Sequence, residues 1–361
     1  MIHSATPASK ARAGRFFEDF RLGERIVHPT PRTITDGECA LYIGLTGARN
    51  APHCAAPVAR AMGYRGRTVD DLLVFHVAFG KTVPDVSRNA VANLGYADLR
   101  FLAPCYPGDT IGAESEVIGL RENSNRRSGV VYVRSNASNQ HGEPVLTWAR
   151  WVMVHKRDPE SPAPAAVVPS LPELVPAQAL AVPAGLNAAA LTSELTGGAA
   201  CWDDYAPGER IDHPSGLTLE EADHMLATRL YQNTARVHFD ALAMAKSSFG
   251  RRLVYGGHVL SLCRALSYDG LENAFAIAAI NAGSHVGPTF AGDTLYALTE
   301  VREKWALPGR DDLGALRLRL VGLKNLAAAE LKAPALPDGK PHPNVVLDLD
   351  YTVLMPRKGR R

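Results

Sequence analysis

The sequence lacks any unbroken apolar stretch of about 18 residues, so no membrane-spanning helix is expected. It also lacks closely spaced cysteines. The five that are present are scattered singly, which favours reduced thiols and a cytoplasmic protein. The first residues have no apolar core of the kind that signal peptides carry. A formal net charge of only +2 gives no reason to expect nucleic acid or a membrane surface as a partner.

Common metal-binding patterns are missing as well. No Cys-x-x-Cys pair and no His-Glu-x-x-His segment occurs, and these are frequent signatures of a zinc site. The hydrophobic fraction of 46% in a chain of 361 residues is ordinary for a globular protein. A chain of this length can bury two hydrophobic cores. We therefore expect a globular protein with no dedicated metal site.

An internal repeat is the strongest feature that is present. The pattern Gly-Glu-Arg-Ile-x-His-Pro at residues 23–29 returns at residues 208–214, at an offset of 185. His53 and His238 keep the same offset of 185. Because coincidence does not hold register in this way, the chain is predicted to contain two copies of one unit.

Composition places the boundaries of the two copies. Residues 157–200 are rich in proline and alanine, which is typical of a linker that crosses the surface. The predicted organisation is an N-terminal unit over residues 15–156, this linker, and a C-terminal unit over residues 201–358.

Each copy shows the same order of helical and strand-like segments. Thr35 and Thr218 precede acidic residues and are predicted N-caps of early helices. Apolar runs predict one long helix per copy, at residues 70–81 and 256–267. An α+β unit is expected, in which an antiparallel sheet wraps the long helix. The predicted strands are 96–103, 110–120, 129–136 and 144–155 in the first copy, and 277–286, 294–301, 316–323 and 344–355 in the second.

The stretch 231–267 holds the residues best suited to chemistry. Asn233 lies five residues before His238, and Gly256 opens the apolar helix eighteen residues after it. A histidine can act as a base near neutral pH, an amide can hold a water, and an N–H group at a helix start can stabilise an oxyanion. These groups suffice to add water to an activated carbonyl compound. The alternatives are a packed core histidine and a glycine that only lets the helix approach the sheet.

The spacing around His238 resembles the motifs of the MaoC-like dehydratases and R-specific enoyl-CoA hydratases. That group carries Gly-Asp-x-Asn-Pro-x-His-x-Asp, followed by Phe-Gly-x-Pro-Ile-x-His-Gly. Aligned on His238, residues 232–240 read QNTARVHFD and residues 249–256 read FGRRLVYG. The histidine, the later aspartate and Gly256 fall in register, whereas Asn233 stands where the group has its catalytic aspartate.

Longer stretches look like the mesaconyl-CoA hydratases, a family also named β-methylmalyl-CoA dehydratases. They include residues 16–35, 72–97 and 150–159, so the resemblance covers nearly the whole chain. It implies a double hotdog fold and the reversible hydration of mesaconyl-CoA to β-methylmalyl-CoA, in ethylmalonyl-CoA or 3-hydroxypropionate carbon metabolism. It further implies a hydro-lyase that acts on a CoA thioester without a metal or an organic cofactor.

The resemblance implies a role for each central residue. His238 would be the base for the attacking water, and Gly256 would donate to the thioester oxygen. Asn233 would hold the water, since an amide does not ionise. Proton delivery to the α-carbon would then fall to His238 or to a relayed water. Asp240 is a further candidate acid, although its family position is more often structural.

Several neighbouring residues are candidates for substrate binding. Arg236 could pair with the free carboxylate of mesaconyl-CoA, which simple fatty enoyl-CoAs lack. It could equally be a solvated arginine or contact a CoA phosphate. Arg251, Arg252 and Lys246 could meet the CoA phosphates or simply be solvated. The full set of predicted substrate-binding residues is Arg236, Asp240, Tyr255, Gly257 and Arg251.

The first copy lacks the same set of groups. Around His53, Ala48 stands at the position of Asn233, and Asp71 stands at the position of Gly256. An acidic side chain at a helix start would repel an oxyanion. The first copy is therefore predicted to be inactive and to leave room for part of the CoA thioester between the halves.

Two other functions remain open at this point. The chain could hydrate another enoyl-CoA, or it could be a non-catalytic acyl-CoA-binding or thioesterase-like hotdog protein, an alternative that Asn233 keeps open. A homodimer or a higher homo-oligomer is expected, because hotdog units commonly join their sheets. His76 and His258 on the long helices are predicted to be packed or hydrogen-bonded rather than catalytic.

Overall fold

The computed structural model describes residues 10, 11 and 13–358. In the first half of the chain, one strand is followed by three short helices and one long, buried helix, and then by four more strands. The strands are β1 (Arg25–Thr33), β2 (Ala90–Phe101), β3 (Thr110–Glu122), β4 (Ser128–Ser138) and β5 (Pro144–His155). The helices are α1 (Asp36–Thr46), α2 (Ala51–Cys54), α3 (Ala56–Ala61) and α4 (Asp71–Thr82).

The second half repeats this order of elements after a long connection. Its strands are β6 (Arg210–Asp212), β7 (Leu217–Thr218), β8 (Ala276–Ser284), β9 (Thr294–Ala306), β10 (Leu313–Lys324) and β11 (Val345–Pro356). Its helices are α5 (Ser193–Thr196), α6 (Glu221–Leu230), α7 (Arg236–Phe239), α8 (Ala241–Met244) and α9 (Gly256–Leu266). None of the helices within residues 10, 11 and 13–358 is long and apolar enough to cross a bilayer.

The strands form one antiparallel sheet. Their order is β1-β3-β4-β5-β2-β8-β11-β10-β9-β6, and β7 pairs with β9. Read from one edge the order is β1-β3-β4-β5-β2, and read from the other edge it is β6-β9-β10-β11-β8. Strands at the same place in these two orders are equivalent, as expected for two copies of one unit. The copies meet where β2 pairs with β8, with Tyr96 opposite Gly283. The continuous antiparallel sheet with enclosed helices confirms the predicted α+β architecture.

Two central helices lie against this sheet. Helix α4 is mostly apolar and is buried from its second residue to its last, as expected for an enclosed helix. Asp70 starts it by accepting the N–H of Leu72 at 2.9 Å. His76 of α4 and Ser261 of α9 join the two helices through a 2.8 Å hydrogen bond. Both predicted long helices are confirmed.

The two predicted N-caps have different outcomes. Thr35 caps α1 as expected: its side chain accepts the N–H of Glu38, whose carboxylate accepts the N–H of Thr35. The prediction for Thr218 is wrong. It lies in β7, its hydroxyl bonds that of Thr294 at 2.8 Å, and α6 begins only at Glu221. Sheet pairing with β9 has outcompeted the local capping pattern.

The connection between the halves is more buried than a surface linker. The N–H of Val175 donates to the side-chain oxygen of Asn281 at 2.8 Å. Leu186 and Ala188 are buried in a cluster with residues of the second half. Residues 157–200 therefore contribute to the core as well as joining the two copies.

Candidate active site

The segment that carries the candidate residues is held by the first half of the chain. A side chain at Gly80 of α4 would collide with the carbonyl oxygen of Tyr231, so helix and segment lie in direct backbone contact. Lys81 Nζ donates to Gln232 Oε1 at 2.6 Å. These two contacts fix the chain just before Asn233.

His238 is oriented by one backbone hydrogen bond. It lies in α7, and its Nδ1 is 3.0 Å from the carbonyl oxygen of Leu253. A carbonyl oxygen only accepts, so Nδ1 carries the proton and Nε2 of the neutral ring carries the free lone pair. Burial lowers the pKa of His238 to about 4. The expectation that this base titrates near neutrality therefore needs correction: its imidazole is neutral at pH 7.

Asn233 is buried, with 2% of its surface exposed. Its Oδ1 accepts the N–H of Ala235, immediately before α7, at 2.9 Å. Because an N–H needs an acceptor, this bond fixes which way the amide points. Its NH₂ group has no hydrogen-bond partner in the described part of the protein and is the end left to hold a small polar molecule.

The glycine pair at the start of α9 is enforced by close packing. A Cβ on Gly256 would lie 2.7 Å from Cγ and Nδ1 of His285. A Cβ on Gly257 would lie 2.5 Å from the ring of Tyr255 and 2.7 Å from Cε1 of His76. Close packing thus explains why both positions are glycine. Gly256 is also the first residue of α9, so its N–H lies in the first turn, where helix N–H groups lack intrahelical acceptors.

Tyr255 connects these groups. It is the N-cap residue of α9 and is buried, and its ring stands edge-on to that of His238, with centroids 5.5 Å apart. The same ring is 5.7 Å from the ring of His76. His238 and the start of α9 are thereby brought to one place.

His285 and Tyr96 also belong to this place, and the sequence analysis missed both. The pKa of His285 is lowered to about 4. Burial is the larger cause, and the positive charge of a protonated His238 is the smaller one. Its Nε2 lies 3.4 Å from the hydroxyl of Tyr96. The available signal was the position of His285 at the end of a predicted strand. Tyr96 gave none, because it belongs to the other copy.

The candidate substrate-binding arginines differ in whether their charge already has a partner. Arg236 is exposed and has no ion-pair partner within residues 10, 11 and 13–358. Arg251 is exposed and its guanidinium lies over the ring of Phe290 at 4.0 Å. Arg252 pairs with Glu221, so its charge is already partly compensated.

Asp240 has a local structural task. Its Oδ1 accepts the N–H of Ala243 at 2.9 Å and so caps α8. A carboxylate engaged in this way is a poor candidate for the missing catalytic acid.

The equivalent place in the first copy is built differently. Asp71 is the first residue of α4, as Gly256 is of α9, and its Oδ2 accepts the N–H of Ile277 at 2.7 Å. Burial raises the pKa of Asp71 to about 6. His53 lies 3.8 Å from this carboxylate and bonds Thr68 through Nδ1 at 2.8 Å. A carboxyl group fills the helix start here, in place of a free N–H group.

His76 and His258 are both buried, and His76 is hydrogen-bonded as described above. Burial lowers the pKa of His258 to about 3. Within the described part of the chain, no three His, Cys, Asp or Glu side chains are grouped as a metal site requires.

Comparison with known sequences gives long matches. The sequence model of the mesaconyl-CoA hydratase family matches residues 5–168. The chain is 55% identical over 352 residues to the β-methylmalyl-CoA dehydratase of Chloroflexus aurantiacus, covering 98% of this chain and 100% of that protein. It is 55% identical over 350 residues to the mesaconyl-CoA hydratase of Cereibacter sphaeroides, covering 96% and 100%.

Solved structures give a matching result. A MaoC domain protein dehydratase from Chloroflexus aurantiacus superposes with a TM-score of 0.95 at 55% identity, covering 98% of this chain and 100% of that chain. A Mycobacterium tuberculosis protein with a double hotdog fold has a TM-score of 0.77 at 24% identity, covering 95% and 99%. The predicted double hotdog fold is thereby confirmed.

Proposed function

The chain belongs to the family of mesaconyl-CoA hydratases, or β-methylmalyl-CoA dehydratases, and we propose that it catalyses the reversible addition of water to mesaconyl-CoA. The product is β-methylmalyl-CoA, so the protein is a hydro-lyase whose substrate is a CoA thioester. The observation that carries the proposal is the hydrogen bond from Nδ1 of His238 to Leu253, which leaves Nε2 as a base beside the start of α9.

The first step uses Asn233 and His238 together. The free NH₂ of Asn233 donates to the oxygen of a water, and that water donates to Nε2 of His238. The oxygen then bonds to the β-carbon of the enoyl thioester while its proton passes to Nε2. A positioned base of this kind typically contributes about 10²–10⁴-fold in rate.

The electrons of the double bond move to the thioester oxygen as the enolate forms. The N–H of Gly256, at the positive end of the α9 dipole, stabilises that charge. Loss of one such donor typically costs about 10²–10³-fold in kcat. The imidazolium of His238 returns its proton to the α-carbon, which completes the addition and restores the neutral base.

Arg236 is the proposed partner of the second, free carboxylate of mesaconyl-CoA. It is two residues from the base, exposed and unpaired with any described acidic side chain. A guanidinium can bind a carboxylate through two parallel hydrogen bonds. Arg251, Tyr255 and Gly257 are proposed to line the rest of the thioester site.

The two copies are proposed to divide the work. Residues 201–358 form the catalytic unit, residues 157–200 the linker, and residues 15–156 an inactive unit that supports the site. A homodimer or a larger homo-oligomer stays a prediction, which mass determination in solution checks. The cytoplasm stays the predicted compartment, and the five cysteines are all free thiols.

Absorbance of the conjugated enoyl thioester tests the proposed reaction directly. Purified protein mixed with mesaconyl-CoA should lose that band and give a product heavier by one water, and a His238→Ala variant should not. Turnover of a different enoyl-CoA alone would keep the chemistry and reject the substrate. Binding of acyl-CoA without turnover of any enoyl-CoA would favour a non-catalytic binding protein.

A further inference from the structure

We infer that His285 donates a hydrogen bond from Nδ1 to the thioester oxygen beside the N–H of Gly256, and that Tyr96 of the first copy selects the tautomer that does so. The inference rests on the proposed function and deepens it. It adds a second donor to the oxyanion site, and it gives the inactive copy a positioning residue in the active one.

The orientation of the imidazole is set by its closeness to Gly256. A Cβ built on this glycine would lie 2.7 Å from Cγ, 2.7 Å from Nδ1 and 2.8 Å from Cε1 of His285. Nearly equal distances to three atoms of one ring place this position over the face of the ring, so the imidazole lies flat against the first residue of α9. Within the described part of the chain Nδ1 has no hydrogen-bond partner, and it is the ring nitrogen left to donate near the backbone N–H of Gly256.

Tyr96 lies on the Nε2 side. Its hydroxyl oxygen is 3.4 Å from Nε2, which is long for a hydrogen bond and leaves room to shorten when substrate is bound. Tyr96 is 2% exposed, and burial raises the pKa of its hydroxyl, so it stays a protonated donor. When the hydroxyl donates to Nε2, the single proton of the neutral imidazole must lie on Nδ1.

The charge state of His285 suits a neutral donor. Burial, and to a smaller extent the positive charge of a protonated His238, together lower its pKa to about 4. Once His238 has taken the proton of water, a second imidazolium beside it is disfavoured. His285 therefore keeps its one N–H through the reaction, and no proton needs to leave it.

The first copy shows the opposite arrangement at the equivalent helix start. There the carboxylate of Asp71 accepts the N–H of Ile277, so an acceptor fills the place that holds donors in the second copy. A thioester oxygen, which only accepts, fits the start of α9 and not the start of α4.

Variants of His285 and Tyr96 test the inference in the full-length protein. His285→Ala should lower kcat on mesaconyl-CoA by about 100-fold, because the donor acts mainly on charge that develops in the transition state. KM should change little. His285→Gln, whose amide keeps an N–H donor, should recover part of the loss, and Tyr96→Phe should lose about tenfold.

A vibrational measurement separates polarisation of the thioester from a general structural defect. The probe is methylsuccinyl-CoA labelled with carbon-13 at the thioester carbonyl, a saturated analogue without the double bond. Its carbonyl stretch should move to lower frequency on binding to the wild type. In His285→Ala and Tyr96→Phe the shift should be smaller, because the carbonyl has lost a donor or that donor is no longer oriented.

The chain offers matched controls at the far end of α9. His213 is a buried histidine that bonds the carbonyl oxygen of Asp269 and the hydroxyl of Thr299, each at 2.8 Å. Tyr205 is a buried tyrosine that donates to Gly270 at 2.7 Å. His213→Gln and Tyr205→Phe remove comparable groups, and both should keep the wild-type carbonyl shift.

Two results would overturn the inference: kcat of His285→Ala within threefold of an active wild type, or a carbonyl shift unchanged in both His285→Ala and Tyr96→Phe. If His285→Ala does not fold, His285→Gln and Tyr96→Phe carry the decision through the carbonyl shift. If the wild type leaves mesaconyl-CoA unchanged, the proposed function is wrong instead. The carbonyl shift of bound methylsuccinyl-CoA would then still test whether His285 is a donor.

Discussion

The carbonyl oxygen of Tyr231 occupies the space that a side chain at Gly80 would need. Gly80 belongs to the central helix of the first copy, and Tyr231 lies two residues before Asn233 in the second. The first copy thus serves as the surface on which the segment with the candidate catalytic residues rests. A disturbance of this contact should reach the reaction although neither residue is placed in the chemistry.

A methyl group at position 80 tests that dependence. Gly80→Ala should destabilise the protein by about 1–3 kcal/mol through overpacking, and should lower kcat/KM because the segment must shift. Gly44→Ala is the matched control, since Gly44 lies exposed in α1 with open space around it and should gain roughly 0.5–1 kcal/mol. Thermal unfolding and steady-state kinetics measure both effects. A Gly80→Ala variant with wild-type kinetics would separate the helix contact from catalysis.

The pH profile of kcat reports the protonation of His238. Its pKa is lowered to about 4 by burial, and only the neutral ring accepts a proton from water. Activity should therefore stay level from pH 7 to about pH 5 and decline as the pH falls through about 4. Circular dichroism at each pH separates this decline from unfolding. An activity loss centred near pH 6.5 would show that the base is not buried as described.

Arg236→Met tests recognition of the free carboxylate. Loss of a charged hydrogen-bond partner should lower kcat/KM for mesaconyl-CoA by roughly 10–100-fold. Crotonyl-CoA lacks that carboxylate, so its turnover should change less than about threefold. Equal losses on both substrates would contradict the proposed pairing and favour a contact with CoA itself. Arg252→Met removes a nearby arginine already paired with Glu221 and serves as the control for lost charge.

Acid should destabilise the fold through buried histidines. The pKa of His258 is about 3 in the folded chain and near 6.5 when unfolded, so the unfolded state binds more protons between these values. The free energy of unfolding contributed by this group is therefore complete above pH 6.5. It falls by about 1.4 kcal/mol for each pH unit below 6.5 and is fully lost once the pH has fallen through about 3. Urea unfolding of the wild type and His258→Gln at pH 7, 6 and 5 measures the slope. Equal slopes would mean that His258 is solvated and titrates normally.

Sequence and structure agree where a pattern is local and strong. The apolar runs that became α4 and α9, and the alternating run that became β5, carry their own periodicity. Thr218 failed because its partner for strand pairing, β9, lies far along the chain. The contact of Tyr96 with His285 joins the two copies, and no spacing within one copy encodes it.

The same division holds for the site. His238, Asn233 and Gly256 lie in one stretch and could be selected by spacing, whereas their chemistry depended on the fold. The lowered pKa of His238 and the donor bond to Leu253 follow from burial and from a loop that returns fifteen residues later. A sequence names the imidazole but does not specify which nitrogen is free.

Asp71 tests whether the first copy is inactive. Its carboxylate accepts the N–H of Ile277 and faces His53, which makes it a structural acceptor between the copies. Asp71→Ala should leave a buried N–H unpaired and cost about 1–3 kcal/mol of stability, while kcat and KM on mesaconyl-CoA stay within about twofold. Asp71→Asn keeps an acceptor oxygen and should recover much of the stability. Chemical unfolding and kinetics on the same preparations decide the matter. A folded Asp71→Ala variant with halved active-site titre or a large loss of kcat would show that the first copy also turns over substrate.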